Sequence, residues 1–490
     1  MLNKSLVSLA VVGALAAGCS LAPTYERPVA PVAIDWNAPS PATGKRGIDN
    51  TPWREFFPDQ RLQALIAASL DYNRDMRIAI ARVEEARALY GVQRADRFPT
   101  LNVTGGQTAA RVPGSVSTTG SEVTTRRYDA GVSIPAFELD FWGRVANLSS
   151  AALNNYLATE EAQRSFRLSL ISDVANAYFT VLEMEDRARI AEETVRARQE
   201  GRDILAKRRE VGIAGDLDFL QADGALEQAK AELANLIRQR QAAASALVLL
   251  VGQPNLSKDL PPGKRLTEQG VVADFDINVP SDVLLKRPDV IAAEYKLQAA
   301  NANIGAARAA FLPRITIGGS AGSAAPEISG LFDSGNGAWT FTPSISMPLF
   351  DWGRTLNNLD ITEARKVVAV AEYEKTLQVA FKEVADLIVA REQLVKQLAA
   401  LEAAERSQAS RLTLAEARYK GGISNYLEVL DAQRDLFLAQ QATVATRSGL
   451  LSSAANLYKA LGGAEEDRAI KADFDKVAVQ SGVKKAPAAE

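Results

Sequence analysis

A repeated block is the feature that most constrains the fold of this chain of 490 residues. The tetrapeptide Phe-Trp-Gly-Arg at 141–144 returns as Asp-Trp-Gly-Arg at 351–354. The tripeptide Val-Gly-Ile at 211–213 returns as Gly-Gly-Ile at 421–423. Both pairs are separated by 210 residues. Similarity at one fixed offset predicts that a single structural unit occurs twice in tandem.

Each predicted unit has the same order of elements, namely a helix, two strands and a long helical hairpin. Proline after each first helix predicts where it ends, because proline disfavours helix in the residue before it. Alternation of apolar with polar residues predicts the strands. The predicted positions are about 74–97 and 288–310 for the first helices, 100–140 and 314–350 for the strands, and 105–124 and 318–337 for Gly/Ser-rich loops between the strands.

The longest predicted elements are two helical hairpins, at about 143–252 and 353–462. Apolar residues recur there at steps of three and four, which is the period of a helix. A helix from 143 to 209 would be roughly 100 Å long at about 1.5 Å per residue. Such a helix cannot bury one face in a compact domain, so it must pack against other helices of this chain or of other subunits.

The domain organisation follows from these elements. The predicted segments are a signal peptide at 1–18, a lipidated extended segment at 19–60, a first repeat at 61–270, a second repeat at 271–465 and a C-terminal tail at 466–490.

The N-terminus predicts export and lipidation. Lys4 precedes a short apolar run that is typical of a secretory signal and too short to span a bilayer as a helix. The run ends at Ala-Ala-Gly followed by Cys19, the only cysteine in the chain, which resembles a bacterial lipobox. Cys19 is therefore predicted to carry covalent lipid (palmitate among the acyl groups), which is the only prosthetic group expected. The alternative is an ordinary cleaved signal peptide with an incidental cysteine.

Composition argues against an enzyme, a metal protein and a nucleic-acid binder. The chain has no histidine, which is the commonest general base and metal ligand, and one cysteine cannot form an intrachain disulfide. The formal net charge of −3 provides no basic surface for nucleic acid. We therefore expect no catalytic residues, no metal and no cofactor.

A membrane-spanning sheet would have to be completed by other chains. No stretch after the signal peptide reaches about 18 uninterrupted apolar residues, so a spanning segment would have to belong to a closed β-barrel. Four strands are too few to enclose a pore, whereas three chains would supply twelve. Aromatic residues at the strand ends suit the interfacial girdles of such a barrel, with core packing as the alternative. They are Phe137, Phe141, Trp142, Phe350 and Trp352.

Several motifs together resemble the outer-membrane factor (TolC-like) family, and more closely its OprM-type efflux lipoproteins. They are Leu-Ala-Pro-Thr-Tyr-Glu-Arg-Pro at 21–28, the repeated Trp-Gly-Arg, and Tyr-Lys-Gly-Gly at 419–422 leading to Leu-Glu-Val-Leu-Asp-Ala-Gln-Arg at 427–434. The resemblance implies a mixed α and β fold, a homotrimer with a 12-stranded β-barrel continued by a long α-helical barrel. It also implies an outer-membrane location, a periplasmic adaptor protein and an inner-membrane pump of the resistance-nodulation-division type.

The same resemblance implies two kinds of functional residue. The turns of the long hairpins, with Val211, Gly212 and Ile213 in the first and Gly422 and Ile423 in the second, would contact the adaptor. Past the second turn, Leu427 and Asp431 would form the periplasmic gate. They lie four residues apart and so on one helical face. The alternative interpretations are ordinary turn glycines and a solvated surface aspartate.

The predicted function is the outer-membrane channel of a tripartite efflux pump, a passive exit duct for drugs and other small molecules. Two alternatives within transport are a duct for metal-ion efflux and a duct for type I protein secretion. A coiled-coil lipoprotein that braces the envelope is a further alternative, but it would not have the alternating strands.

Overall fold

The computed structural model describes residues 20–32, 51–118, 120–253, 260–271 and 281–464. The predicted signal peptide at 1–18, the lipidated Cys19 and the tail at 466–490 lie outside these residues.

Helices dominate the described chain, and four strands interrupt them in two pairs. The helices are α1 (Trp53–Phe56), α2 (Gln60–Tyr72), α3 (Arg74–Ala95), α4 (Arg144–Glu210), α5 (Asp216–Val251), α6 (Pro288–Ala309), α7 (Arg354–Lys420) and α8 (Tyr426–Ala460). The strands are β1 (Asn102–Val112), β2 (Val123–Glu138), β3 (Arg314–Ala325) and β4 (Gly337–Ser346). Short 3-10 turns occupy Leu266–Glu268, Ser281–Lys286 and Ile328–Gly330.

The two predicted helical hairpins are present as α4–α5 and α7–α8. Helices α4 and α7 each contain 67 residues, which corresponds to about 100 Å of helix. Helix α5 ends at a glycine in the left-handed region, Gly252, whose φ is 74°. Glycine adopts this conformation without the strain that a Cβ atom would introduce, so it is the usual residue just after a helix.

The Trp-Gly-Arg motif starts both long helices in a similar way. Gly143 and Gly353 have positive φ, and an aspartate accepts hydrogen bonds from the first backbone amides of each helix. The Asp140 carboxylate accepts from the amides of residues 145 and 146, at 3.0 and 2.7 Å. The Asp351 carboxylate accepts from the Gly353 and Thr355 amides, at 3.1 and 2.8 Å. These carboxylates satisfy donors that have no partner within the helix.

The chain divides into two compact units. The first unit contains the N-terminal segment up to Val29, Glu84–Thr159 and Ala292–Tyr373, and so includes the sheet. The second contains the described parts of Ala30–Val83, Glu160–Ile291 and Glu374–Glu490, with the far ends of the long hairpins.

The sheet of the first unit is antiparallel, with the strand order β1-β2-β3-β4. A register shift between Ile134 and Phe137 marks a β-bulge beside Pro135 in β2. The outermost strands, β1 and β4, each pair with one neighbour among the described residues. As far as the described residues show, the sheet therefore has two open edges.

Over most of the sheet, the strand register separates an apolar face from a polar face, because directly paired residues of antiparallel strands project on the same side. Near the β1–β2 turn, the apolar face also carries Gln107, Arg111 and Arg126. A hydrogen bond of 2.8 Å between the Ser320 and Thr340 hydroxyls joins two strands on the polar face. The register assigns Val103, Val132, Ile134, Ile315, Ile317, Trp339, Phe341 and Ile345 to the apolar face. It assigns Thr104, Thr108, Asp129, Ser133, Thr316, Thr342 and Ser344 to the polar face.

Two strands extend into segments that the sequence predicts to be loops. Strand β1 continues to Val112 and β3 to Ala325, so the loop predictions for 105–124 and 318–337 were wrong at their N-terminal ends. In β3, the glycines that suggested a loop, among them Gly322, are instead places of close approach to the neighbouring strands. A Cβ atom at Gly131 would lie 2.5 Å from the Ala321 carbonyl oxygen, and its partner Gly322 is equally crowded. Glycine inside a strand commonly marks such contacts.

The core of the second unit contains a cluster of aromatic residues and a buried, hydrogen-bonded carboxylate. Phe56, Phe57 and Tyr458 form a fully buried cluster with ring centroids 4.7 to 6.1 Å apart. The buried carboxylate of Asp59 accepts hydrogen bonds from the Tyr178 hydroxyl and from the side chain of Gln269, at 2.9 and 3.0 Å. These contacts fix the start of α2 against α4 and the segment that contains Gln269.

No helix within the described ranges has the length and apolar character needed to cross a membrane.

Candidate functional site

The turns that end α4 and α7 have the same backbone geometry. In the first turn, the Ile213 amide donates to the Arg208 carbonyl and the Gly212 amide to the Arg209 carbonyl, at 2.8 and 3.0 Å. In the second turn, the backbone amides of Ile423 and Gly422 donate the corresponding hydrogen bonds to carbonyls of the last turn of α7, at 2.9 and 3.0 Å. This pair of bonds defines a Schellman motif.

Gly212 and Gly422 occupy the left-handed position of that motif, with φ of 74° and 72°. Gly421, which replaces the valine of the first turn, lies one residue before this position and does not carry the positive φ. The substitution therefore leaves the turn geometry unchanged and removes one apolar side chain.

The turns expose large apolar side chains. Val211, Ile213 and Ile423 are 68%, 75% and 72% exposed. Isolated exposed apolar residues are common on protein surfaces, but all three of these side chains belong to the turns of the two long hairpins. The arrangement is suited to contact with another protein, and the turn geometry holds each isoleucine in a fixed position.

A packed core supports the two turns from within the second unit. Tyr426, at the start of α8, packs in a cluster with Leu205 of α4 and Ala222 of α5. The Tyr419 ring lies 5.1 Å from the Tyr426 ring, and the Arg208 guanidinium donates to the Tyr419 hydroxyl at 2.9 Å. Burial raises the pKa of the Tyr426 hydroxyl. The first and second hairpins are thus joined just behind their turns.

A mid-helix glycine permits this close packing. A Cβ atom at Gly201 of α4 would overlap the Tyr426 hydroxyl oxygen and lie 3.0 Å from the ring carbon that bears it. Glycine inside a helix costs roughly 1 kcal/mol relative to alanine. The close approach of Tyr426 explains why glycine occupies this position.

Leu427 and Asp431 lie one turn apart on α8, as the sequence predicts. Asn425 caps this helix by accepting a hydrogen bond from the Glu428 amide, although the contact is long at 3.4 Å. Leu427 is 41% exposed, so its side chain is available to a neighbouring surface.

The Asp431 carboxylate is paired inside its own helix. It lies 2.9 Å from the guanidinium of Arg434, which also contacts Asp435 at 3.1 Å. Asp435 in turn receives a hydrogen bond of 2.6 Å from Arg411 of α7, and this bond lowers the pKa of its carboxyl group. The result is a chain of alternating charges in which the negative charge of Asp431 is partly neutralised.

Sequence reasoning assigned no role to Arg434, although the signal was available. It lies three residues after Asp431, a spacing at which helical side chains of opposite charge meet. The first hairpin lacks this arrangement, because Leu217 and Gln221 occupy the positions equivalent to Leu427 and Asp431.

The apolar face of the sheet is a second candidate functional surface. Its most exposed members are on the edge strands and include Val103, Trp339, Phe341 and Ile345. Beyond β4, Phe350 and Trp352 are also highly exposed, and their ring centroids lie 4.8 Å apart. A large exposed apolar patch usually indicates a protein or membrane contact.

Trp142 differs from the other predicted girdle aromatics. Its indole N–H donates to the Pro313 carbonyl at 2.8 Å, so its polar group is used within the first unit. Trp352 is instead highly exposed and has a positive φ of 57°, which is uncommon for a residue with a side chain. The two copies of the Trp-Gly motif therefore share the positive φ of the glycine, but they differ at the tryptophan in both backbone conformation and side-chain environment.

The segment after Cys19 lies against helices of the first unit. Tyr25 and Arg27 both donate to the Glu294 carboxylate, the latter through two bonds of 2.9 and 2.8 Å. Burial and the Glu294 charge raise the pKa of Tyr25 to about 12. Asn301 donates to the Pro23 carbonyl at 2.7 Å. These bonds hold the segment that follows the predicted lipidation site.

The described residues include no group of three or more His, Cys, Asp or Glu side chains placed to hold a metal ion.

Comparison with known proteins identifies relatives across nearly the whole chain. The family model described as "Outer membrane efflux protein" matches residues 65–253 and 279–463. Outer membrane protein OprJ of Pseudomonas aeruginosa is 41% identical over 459 residues, which is 93% of this chain and 95% of the relative. The solvent efflux pump outer membrane protein SrpC of Pseudomonas putida is 42% identical over 466 residues, covering 94% and 98%.

A solved structure agrees with these sequence relatives. The open state of the Neisseria gonorrhoeae MtrE outer membrane channel superimposes with a TM-score of 0.82 at 37% identity. The alignment covers 91% of this chain and 98% of the channel.

Proposed function

Because the chain belongs to the outer membrane efflux protein family, we propose that it is the outer-membrane channel of a tripartite efflux pump and a passive exit duct for drugs and other small molecules. The observation that carries this proposal is the four-stranded sheet with one apolar face, one polar face and two open edges. Members of this family are channels rather than enzymes, so the energy for transport comes from a partner.

The open edges support a barrel shared between three chains. Unpaired backbone groups at a strand edge are costly in lipid, where no water can satisfy them. Three chains of four strands would form a closed barrel of twelve strands if β4 of each chain paired with β1 of the next. The apolar face would then contact lipid and the polar face would line the channel.

The two long hairpins support a helical tunnel that continues the barrel. Each chain contributes α4, α5, α7 and α8, so a trimer supplies twelve long helices. The two segments matched by the family model fall within the proposed repeats at 61–270 and 271–465. Equal lengths for α4 and α7 and the shared turn geometry are consistent with a two-fold internal repeat.

The hairpin turns are the proposed contacts for a periplasmic adaptor protein. Val211, Gly212 and Ile213 in the first turn, and Gly422 and Ile423 in the second, combine exposed apolar side chains with a fixed backbone. The adaptor would connect the channel to an inner-membrane pump, of the resistance-nodulation-division type by family resemblance.

Leu427 and Asp431 are the proposed periplasmic gate. In a trimer, three copies of Leu427 would form an apolar constriction and three copies of Asp431 a ring of carboxylates. Like charges held close together are unfavourable unless cations balance them. The ion pair with Arg434 provides that balance within each chain.

Lipid on Cys19 is the proposed second attachment to the outer membrane. Because Cys19 follows the predicted signal peptide at 1–18, it would become the first residue of the mature protein. The bonds that hold Pro23, Tyr25 and Arg27 support this assignment, because they fix the chain close to the lipidated residue. Firm anchoring needs more than one acyl chain, and the barrel would add its own membrane contact.

A susceptibility panel tests the proposed function. A deletion strain, the wild type and a complemented strain are compared across unrelated antibiotics, dyes, organic solvents and metal salts. We expect hypersensitivity to several classes of organic compound in the deletion strain, restored by complementation. Sensitivity confined to metal salts would favour metal-ion efflux, and loss of a secreted protein with normal drug tolerance would favour type I secretion.

A further inference from the structure

A groove in the second unit lies between α4, α5 and α8, away from the hairpin turns. Its volume is about 640 Å³. This falls within the range of roughly 300–1,000 Å³ that is usual for small-molecule sites. Arg187, Arg198 and Arg434 line the groove, and Glu232 is the one carboxylate among its described lining residues. The groove therefore carries an excess of positive charge.

Arg198 is the cation in this groove that has no anionic partner among the described residues. Its side chain is more than nine-tenths buried, and its Nη1 donates to the Ala225 carbonyl at 2.7 Å. Its Nε atom has no hydrogen-bond partner within the described chain. Burial lowers the pKa of this guanidinium, and the like charge of Arg434 also acts to lower it. An isolated buried charge is unfavourable unless an anion compensates it.

The other two arginines are already engaged. Arg187 donates to the Gln441 side chain at 2.6 Å and to Glu183 at 3.2 Å. Arg434 is held by Asp431 and Asp435. The capacity to bind an added anion is therefore concentrated at Arg198.

Apolar side chains form the remaining wall. Phe437, Leu438, Ala191 and Ala229 all line the groove, and Leu438 is well exposed. A ligand that satisfies both features needs one anionic group and an apolar body.

We propose that this groove binds an organic carboxylate, whose anionic group pairs with Arg198 and whose apolar body packs against Phe437 and Leu438. The burial of Arg198 favours a small molecule over an acidic side chain of a partner protein, because the anion must enter the cavity to reach the guanidinium. The site is additional to the proposed duct and does not depend on transport.

Binding of 2-naphthoate to the purified full-length protein tests the proposal, with neutral 2-naphthamide as the matched ligand. Ligand-observed NMR, with the protein in lipid nanodiscs, measures the binding of both compounds. We expect a dissociation constant of roughly 0.1–1 mM for the carboxylate, as small ligands of this size allow, and no saturable binding of the amide. Arg198→Gln should weaken binding roughly 10- to 100-fold, because it removes a charged hydrogen bond in a buried site. Arg198→Lys should retain part of the affinity.

The control is Arg189→Gln, which removes the same charge from an exposed position of α4 outside the groove and should leave the affinity unchanged. If Arg198→Gln does not fold, Leu438→Asp provides the test, since it places a repelling carboxylate on an exposed wall position and should also weaken binding. Equal affinity of the wild type and both groove variants would overturn the proposal. Absence of naphthoate binding combined with drug hypersensitivity of Arg198→Gln would also overturn it, in favour of a partner's acidic side chain.

Discussion

Replacement of Gly201 by alanine is the sharpest test of how the hairpin ends are held together. The added Cβ atom would overlap the Tyr426 hydroxyl and lie 3.0 Å from the adjoining ring carbon, whereas non-bonded carbon atoms prefer about 3.5–4.0 Å. The buried ring has to shift within a packed cluster, and overpacking of this kind costs about 1–3 kcal/mol. Alanine recovers up to about 1 kcal/mol of helix propensity. Because the Cβ atom overlaps the hydroxyl oxygen, the overpacking cost should lie in the upper part of its range, about 2–3 kcal/mol, which leaves a net local destabilisation of about 1–2 kcal/mol, or roughly 5- to 30-fold in the population of the loosened state.

Amide hydrogen exchange near the ends of α4 and α8 measures this change directly. Exchange should accelerate in Gly201→Ala, and adding Tyr426→Phe should partly restore protection because it removes the overlapping oxygen. Gly224→Ala on α5 is the matched control, since a Cβ atom there meets nothing within 4 Å. That variant should exchange like the wild type or more slowly. Unchanged exchange in Gly201→Ala, with no coupling to Tyr426→Phe, would refute the close-packing argument.

Three further predictions concern the gate, the anchor and the core. Leu427→Ala combined with Asp431→Ala should raise single-channel conductance in a planar bilayer, and unchanged conductance would contradict the gate assignment. Cys19→Ala should abolish acylation, detected by mass spectrometry, while part of the protein still assembles in the outer membrane. Arg287→Ala should lower the free energy of unfolding by about 1–3 kcal/mol, because a buried guanidinium that contacts Asp289 at 2.7 Å, Glu383 at 3.0 Å and the Ala460 carbonyl at 2.8 Å is lost, while the two carboxylates left behind are partly exposed to water. A melting temperature equal to that of the wild type would show that this cluster is not needed for stability.

The long elements were predictable because local signals specify them. The first long helix was expected to begin at about 143 and begins at Arg144, and the first helix of the second half was expected at 288 and begins at Pro288. Proline and glycine bound these helices, and periodicity identifies them. Strand ends were harder to predict, because Gly318, Gly319 and Gly322 suggest a loop unless the neighbouring strand is known.

The contacts that decide the candidate sites depend on tertiary packing and could not be read from the sequence. Gly201 has no local reason to be glycine, and its role becomes clear only when Tyr426 packs against it. Arg198 is one of many arginines in α4, and only the packing of three helices places it in a groove without a carboxylate partner. The Asp431–Arg434 pair is the exception, because its spacing on one helix made it predictable.

Disulfide cross-linking between the two edge strands tests the central claim that three chains share one barrel. Thr104→Cys on β1 is combined in turn with Thr340→Cys, Thr342→Cys and Ser344→Cys on β4, all on the polar face of the sheet. Within one chain, β1 and β4 are separated by two strands and so by about 14 Å, too far for a disulfide. The chain's one native cysteine is the proposed lipidation site.

Oxidation in isolated outer membranes, followed by non-reducing electrophoresis, should give a covalent ladder that stops at three chains for at least one pair. Each single-cysteine variant should remain monomeric under the same conditions. No cross-linked species in any combination, or a ladder that stops at two chains or continues beyond three, would contradict the trimeric barrel.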